Sequence, residues 1–337
     1  MDCSEGAEEP IIRACLSLTL PVGMTASVPT WHPERVTQLK VRIGYGLGTR
    51  TESNDHHRFT ALVDGLEERG FDSLWLSERL GTDCPDPLVA MSFAAARTTR
   101  LKVGTAVMVL PGRNPVILAK SLASLDRLSQ GRVLPAFGLG IADSAEQQAF
   151  GVERRDRAGW FDEALPLMRR LWTEDHVSHS GPRFRIDDVT LAVKPYQDEF
   201  EVWSGGAAPS ELKRVGRLSD GWLPSFCTPE QVAVDRETVE SVATEHGRAI
   251  DPEHYGALIP YRRPGVEISD FYRALLARRS PNADPEAVVP HLDRLADTIS
   301  AFVEVGFSKF VLVPVQEPEE WGRELDQVAE VALPLET

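Results

Sequence analysis

The feature that most constrains this chain is an alternation. From Lys40 onward, short runs rich in β-branched and aromatic residues take turns with longer stretches whose apolar residues recur every three or four positions. Eight runs read as strands: 41–47, 73–77, 101–109, 132–140, 200–205, 221–225, 255–261 and 309–315. Helices are expected at 56–69, 86–98, 115–129, 155–173, 209–218, 229–245, 291–305 and 319–332. In the third of these, Leu118, Leu122, Leu125 and Leu128 read as one apolar stripe. The strands are apolar on both faces, which is the pattern of a parallel sheet covered by helices. Eight such units specify a closed (β/α)8 TIM barrel, with an open doubly wound sheet as the alternative.

Two segments are too long to be simple connections. Residues 174–199, after strand four, read as a polar loop with a small hairpin, and residues 262–290, after strand seven, as a basic helical insertion. Long loops in compact domains usually serve as lids or binding elements. Within the second, Arg262, Arg263, Arg278 and Arg279 form either a solvated basic face or contacts for an anionic substrate. Residues 1–38 lack the periodicity and are expected to be a poorly ordered extension, leaving 39–337 as one barrel domain. The apolar run near the start follows Asp2, Glu5, Glu8 and Glu9, not the basic segment of a signal peptide.

Charge narrows the partners. With 36 Lys and Arg against 51 Asp and Glu, the net charge is −15, so binding to nucleic acid or to an anionic membrane is not expected and a small molecule is. Cys3, Cys15, Cys84 and Cys227 form no CxxC or Cys/His cluster, which argues against a disulfide framework or a zinc site and for a cytoplasmic location. His56, His57, His176 and His179 carry no HExxH or HxH spacing, which disfavours a metallohydrolase.

In such barrels the chemistry sits where the strands end. Gly205 and Gly206 open a helix near Pro209, so free N–H groups there could face a phosphate, or the pair could simply serve a tight turn. Glu78 and Asp143 place carboxylates on the same rim, to exchange a proton, to pair with Arg79 or to cap a helix. Arg113 could reach a phosphate or a carboxylate, or stay solvated. Trp75, Trp203 and Trp222 lie on strands and are expected in the core, with Trp75 and Trp222 also placed to wall a planar ligand.

The ordered series "GFDSLWLSER", "DPLVAMSFAAARTTRLKVGTAV", "PGRNPVILAKSLASLDRLSQGR", "GLG", "WFDEALPLMRRLW", "WSGGA" and "SDGWLPS" resembles the bacterial luciferase-like superfamily, and within it the deazaflavin (coenzyme F-420)-dependent oxidoreductases. That resemblance implies a barrel holding a flavin or deazaflavin ring at the strand ends, with a cis peptide at Ala106-Val107 behind the ring. It implies a cofactor-binding set of Ala106, Val107, Gly140, Ser204, Gly205, Gly206 and Ser225, with the phosphate near Gly205 and Gly206 and no metal. Glu78-Arg79 stands where many relatives carry Asp-His, so the carboxylate is kept and a neutral imidazole becomes a fixed cation. Asp143 aligns with a proton-donating Glu of some sugar-phosphate dehydrogenases. The function so implied is hydride transfer between C5 of coenzyme F-420 and a small organic substrate, by a homodimer. The alternatives are a monooxygenase using reduced FMN and a cofactor-binding protein without turnover.

Overall fold

The computed structural model describes residues 39–49 and 54–337, so the expected N-terminal extension lies outside the described residues. Strand and helix alternate as the periodicity predicts. The strands are β1 (Arg42–Leu47), β2 (Ser73–Leu76), β3 (Lys102–Thr105), β4 (Met108–Val109), β5 (Val133–Leu134), β6 (Ala136–Gly138), β7 (Val177–Ser180), β8 (Arg185–Val189), β9 (Trp203–Ser204), β10 (Gly221–Trp222), β11 (Gly256–Tyr261) and β12 (Lys309–Pro314). The helices are α1 (His56–Arg69), α2 (Pro87–Arg97), α3 (Pro115–Leu128), α4 (Ser144–Phe150), α5 (Arg154–Thr173), α6 (Pro209–Leu218), α7 (Pro229–Glu245), α8 (Asp270–Arg279), α9 (Pro285–Val288), α10 (Leu295–Glu304) and α11 (Trp321–Ala332).

Local chemistry sets these boundaries. Asn114 caps α3 by accepting from the amides of Val116 and Ile117, and Pro115 at the first helical position gives up an N–H that would have no partner. Gly70, at φ 81°, ends α1 in the left-handed region that glycine tolerates best.

All barrel strands run parallel. One ladder joins β11, β12, β1, β2, β3 and β5, and a second joins β10, β9, β6 and β4. The two ladders share strands three and four, each of which is broken: β3 passes to β4 through a cis Ala106-Val107 peptide, and β5 passes to β6 through Pro135, which has no N–H to offer a ladder. Thr105 spans both breaks, its hydroxyl bonding the Ala136 carbonyl at 2.7 Å while accepting from the Ala136 amide at 2.9 Å. Isolated parallel bridges, Trp222 to Tyr255 and Ser225 to Leu258, join strands six and seven and complete a ring of eight, a (β/α)8 barrel. Strands five and six are only two residues each in the ladder, shorter than expected.

The barrel has two apolar cores. The larger lies between strands and helices. The smaller fills the interior with Trp75, Ala136, Trp203, Leu223, Val311 and Val313, against which Ala106 and Val107 pack. Neighbouring strands make room for the two indoles with glycine: a methyl at Gly104 would sit 2.8 Å from the Trp75 ring, and one at Gly256 would sit 3.1 Å from Trp203. The rings approach to 6.5 Å between centroids and form the floor beneath the barrel mouth.

Two expectations are corrected here. Trp222 walls no ligand, because it belongs to the outer core, packs on Phe307 and donates its indole N–H to the Gly206 carbonyl. Leu128 leaves the α3 stripe and is 84% exposed. At about 100° per residue, ten residues beyond Leu118 turn it well off the face that Leu118, Leu122 and Leu125 bury.

The two long segments also take form. Residues 177–189 make the antiparallel hairpin β7–β8, and 262–290 carry α8 and α9. The second insertion has its own small core of Ile268, Tyr272, Leu276, Val288 and Val289, which packs on Phe226 and Val315 beyond strands six and eight. Among the described residues, no helix is long and apolar enough to cross a membrane.

Candidate active site

The break in strand three makes a ledge at the barrel mouth. The Ala106 amide stays on the ladder by donating to Leu76 O at 2.8 Å, and the Ser77 hydroxyl holds the Ala106 carbonyl at 3.0 Å. Beyond the cis bond, the Val107 side chain lies over bare backbone. A methyl at Gly138 would be 2.6 Å from Val107, and one at Gly205 would be 2.9 Å from it. Glycine on strands four and five is therefore required by the ledge itself.

Glu78 secures the far side of that ledge. It is 7% exposed; one carboxylate oxygen accepts from the Val109 amide at 2.7 Å and the other pairs with Arg113. Arg113 in turn donates to Val109 O at 3.0 Å. Burial raises the Glu78 carboxyl above its ordinary value, opposed by the Arg113 charge and the Val109 hydrogen bond. Arg79 turns elsewhere and pairs with buried Glu146 on α4 at 2.5 Å. The two adjacent residues that follow β2 thus anchor two different loops.

Asp143 is the N-cap of α4, one carboxylate oxygen accepting from the amides of Ala145 and Glu146 at 2.9 and 3.0 Å. Its other oxygen has no hydrogen bond among the described residues. The helix that Asp143 caps escapes the helical periodicity because it is only seven residues long, although Asp143 followed by Glu146 is the pattern of a helix start. At Gly140, φ is 75° and a methyl would lie 3.0 Å from Arg157 and 3.1 Å from Val109. Arg157 needs that space, since it donates to Leu139 O at 3.1 Å and Ile141 O at 2.7 Å and staples the loop after strand four.

Of the remaining expected residues, Ser204 is turned away from the mouth. It is buried with its hydroxyl bonded to Ser219 at 2.6 Å, because alternation along the strand sends Trp203 inward and Ser204 outward. Ser225 lies at the end of strand six, where its hydroxyl accepts from Arg279 of α8 at 2.9 Å. Of the basic set, Arg279 reaches this strand-end serine, whereas Arg262 is buried against Glu286 and Arg263 pairs with Glu324 at 3.1 Å.

Gly205 and Gly206 lead into α6. Gly206 has φ 99°, the Trp222 indole holds its carbonyl at 2.8 Å, and the N–H groups of Gly206 and Ala207 have no acceptor among the described residues. Glu211 folds back over this turn, accepting from the Ala208 amide at 3.0 Å. A methyl at Gly206 would overlap its carboxylate. Sequence reasoning passes over Glu211, and its only signal there is an acidic residue at the third position of a helix.

Residues 38–295 match the luciferase-like monooxygenase family. The chain belongs to it. Among curated relatives, the F-420-dependent glucose-6-phosphate dehydrogenase of Nakamurella multipartita is 26% identical over 291 residues, which is 80% of this chain and 83% of that one. The enzyme of the same name from Kineococcus radiotolerans is 31% identical over 167 residues, so this chain spans about half (49%) of its length. Luciferase-like structures share the fold. An F-420-dependent secondary alcohol dehydrogenase in complex with an F-420-acetone adduct superposes with a TM-score of 0.73, at 21% identity, covering 89% of this chain and 100% of that one. The FMN-bound oxygenating constituent of a 3,6-diketocamphane monooxygenase from Pseudomonas putida gives 0.72 at 16% identity, covering 89% and 99%.

Proposed function

We propose that this protein is a coenzyme F-420-dependent oxidoreductase that moves hydride between the deazaflavin C5 and a small organic substrate. The observation that carries the reading is the glycine-flanked ledge at Ala106-Val107 above the Trp75–Trp203 floor, in a chain that aligns over 80% of its length with an F-420-dependent dehydrogenase. When bound, the deazaflavin supplies the hydride chemistry, and the protein has to position reactants and manage protons.

The ring portion of the cofactor fits the residues present. Val107 offers an apolar support, while Gly138 and Gly205 keep their strands free of side chains beside it. The amides of Gly206 and Ala207 are donors suited to a phosphate, provided that the Glu211 carboxylate moves from the turn. The free oxygen of Asp143 is the better placed proton carrier of the two rim carboxylates. Glu78 has both oxygens engaged and serves to hold the ledge.

Titration with purified F-420 and with FMN, followed by absorbance during turnover, tests this. The expected result is selective F-420 binding and bleaching or recovery of its absorbance with a carbonyl or alcohol substrate. Preferential FMN binding accompanied by oxygen uptake replaces the reading with the monooxygenase one, which the similarity to the FMN-bound fold supports. We also propose a homodimer formed through α2 and α3, whose outward faces carry Val89 and Ile117 at 68% and 67% exposure. A cytoplasmic location accords with the free thiols of Cys84 and Cys227.

A further inference from the structure

We propose that Arg157 is a positioning residue whose buried charge, passed to the barrel mouth by the loop after strand four, favours the anionic form of a bound chromophore; the inference rests on the F-420 reading above. Arg157 stands on α5 and is only 2% exposed. Its guanidinium turns to backbone carbonyls, Nη1 to Leu139 and Ile141 and Nε to Val152 at 3.4 Å, while Nη2 is buried without a hydrogen bond. Among the described residues no carboxylate pairs with it. The acidic neighbour whose charge reaches it is Glu146 of α4, which is already committed to Arg79, and Arg154 on its own helix adds a second positive charge. Holding three carbonyls needs only N–H donors. The positive charge is what the fold leaves unmatched, and a buried cation without an ion pair costs stability.

The loop passes that charge on through its peptides. Neither the 139–140 nor the 141–142 peptide is cis, so a carbonyl drawn toward Arg157 sends the N–H of the same peptide the opposite way. The N–H groups so turned belong to Gly140 and Ala142, both exposed and both without an acceptor among the described residues. Gly140 lies against Val109, just past the ledge. Two oriented amides backed by a cation make a preorganised field that favours negative charge beside them. The F-420 chromophore carries a ring hydroxyl conjugated with its pyrimidine carbonyls. Its ionisation breaks one O–H bond, gives the proton to water and spreads the remaining charge over the ring, so the anion gains from this field and the neutral form does not. Of the carboxylates around the loop, Glu78 is paired with Arg113 and Glu146 with Arg79, and Asp143 alone opposes the effect with an oxygen free of hydrogen bonds.

The test is a spectrophotometric pH titration of F-420 free in solution, bound to the wild-type protein and bound to Arg157→Gln, with absorbance reporting ionisation of the ring hydroxyl. The expected midpoint of the wild-type complex lies about one pH unit below that of free F-420, and Arg157→Gln moves it back up by about one unit, tenfold in the ionisation constant. Arg157→Lys, which keeps the charge, is expected to restore the wild-type midpoint. A purely structural role would weaken F-420 binding in Arg157→Gln and leave the midpoint where it was. That result overturns the inference. So does a Lys variant that titrates like Arg157→Gln, or a wild-type complex that ionises at or above the pH of the free cofactor, and each of these leaves the F-420 reading standing. If the wild type does not bind F-420, that reading falls and this inference with it. Should Arg157→Gln fail to fold, the comparison of the wild-type complex with free F-420 still decides.

Discussion

Glu78 shows how far a single residue can be read in advance. Its place at the end of strand two follows from the strand pattern, but its partner Arg113 lies 35 residues away, and only the fold brings them together. Removing the carboxylate leaves the largely buried Arg113 guanidinium without its partner and frees the Val109 amide. Glu78→Ala is expected to cost about 2–4 kcal/mol in urea unfolding and to weaken cofactor binding as the ledge loosens. Loss of turnover with stability and cofactor affinity intact would instead make Glu78 a proton carrier. Asp143→Ala loses two hydrogen bonds of a helix cap and should cost about 1 kcal/mol, with Asp143→Asn retaining stability. If Asp143 carries the proton, Asp143→Asn also lowers the rate while the unfolding midpoint holds.

The thiols give a test with a sign. Burial, aided by the Asp235 charge, pushes the Cys227 thiol up to about 12. Between its ordinary value near 9 and that raised value, the native protein keeps a proton that the unfolded chain releases, so this group makes stability fall as pH rises through that window. Cys227→Ala should therefore flatten the alkaline fall in the unfolding midpoint. Because the thiolate is the nucleophile, Cys227 should be labelled only slowly by iodoacetamide at pH 8.5 in the native protein and quickly once it is unfolded, as peptide mapping would show.

At the scale of elements, the sequence was most legible where one local rule governed the outcome. The ends of α1, α6 and α7 fall where periodicity and capping residues place them. The break in strand three was legible only through the family resemblance, which located the cis bond at Ala106-Val107, and the break in strand four was not foreseen, because a ladder ends there for reasons held by neighbouring strands. Thr105 repairs a gap that Pro135 opens thirty residues later. The glycines around the floor belong to this scale as well. Gly104→Ala would put a methyl 2.8 Å from both the Leu134 carbonyl and the Trp75 ring, so a loss of about 1–3 kcal/mol in chemical unfolding is expected.

For the whole molecule, the alternation of strands and helices was enough to specify a parallel sheet covered by helices, and the count of eight units favoured the closed barrel over an open doubly wound sheet, a choice that the bridges between strands six and seven decide. The site was only partly legible. Strand ends and glycines could be named, but whether a side chain enters the mouth depends on pairings across the barrel, as Ser204, Arg113 and Glu211 show. Assembly belongs to this scale. If α2 and α3 form the dimer face, Val89→Asp combined with Ile117→Asp should yield monomers in sedimentation velocity while the unfolding midpoint shifts little. A variant that remains dimeric would move the interface to another face.

The paired indoles of the floor also make the protein its own optical instrument. Trp75 and Trp203 lie 6.5 Å apart and pack in one cluster with Ala106 and Val107, the backbone proposed to support the ring. Excitation absorbed by either indole has a nearby acceptor whenever an isoalloxazine or deazaflavin occupies that place. Occupancy of the site can then be followed as quenching of tryptophan emission, with no label attached and no substrate present.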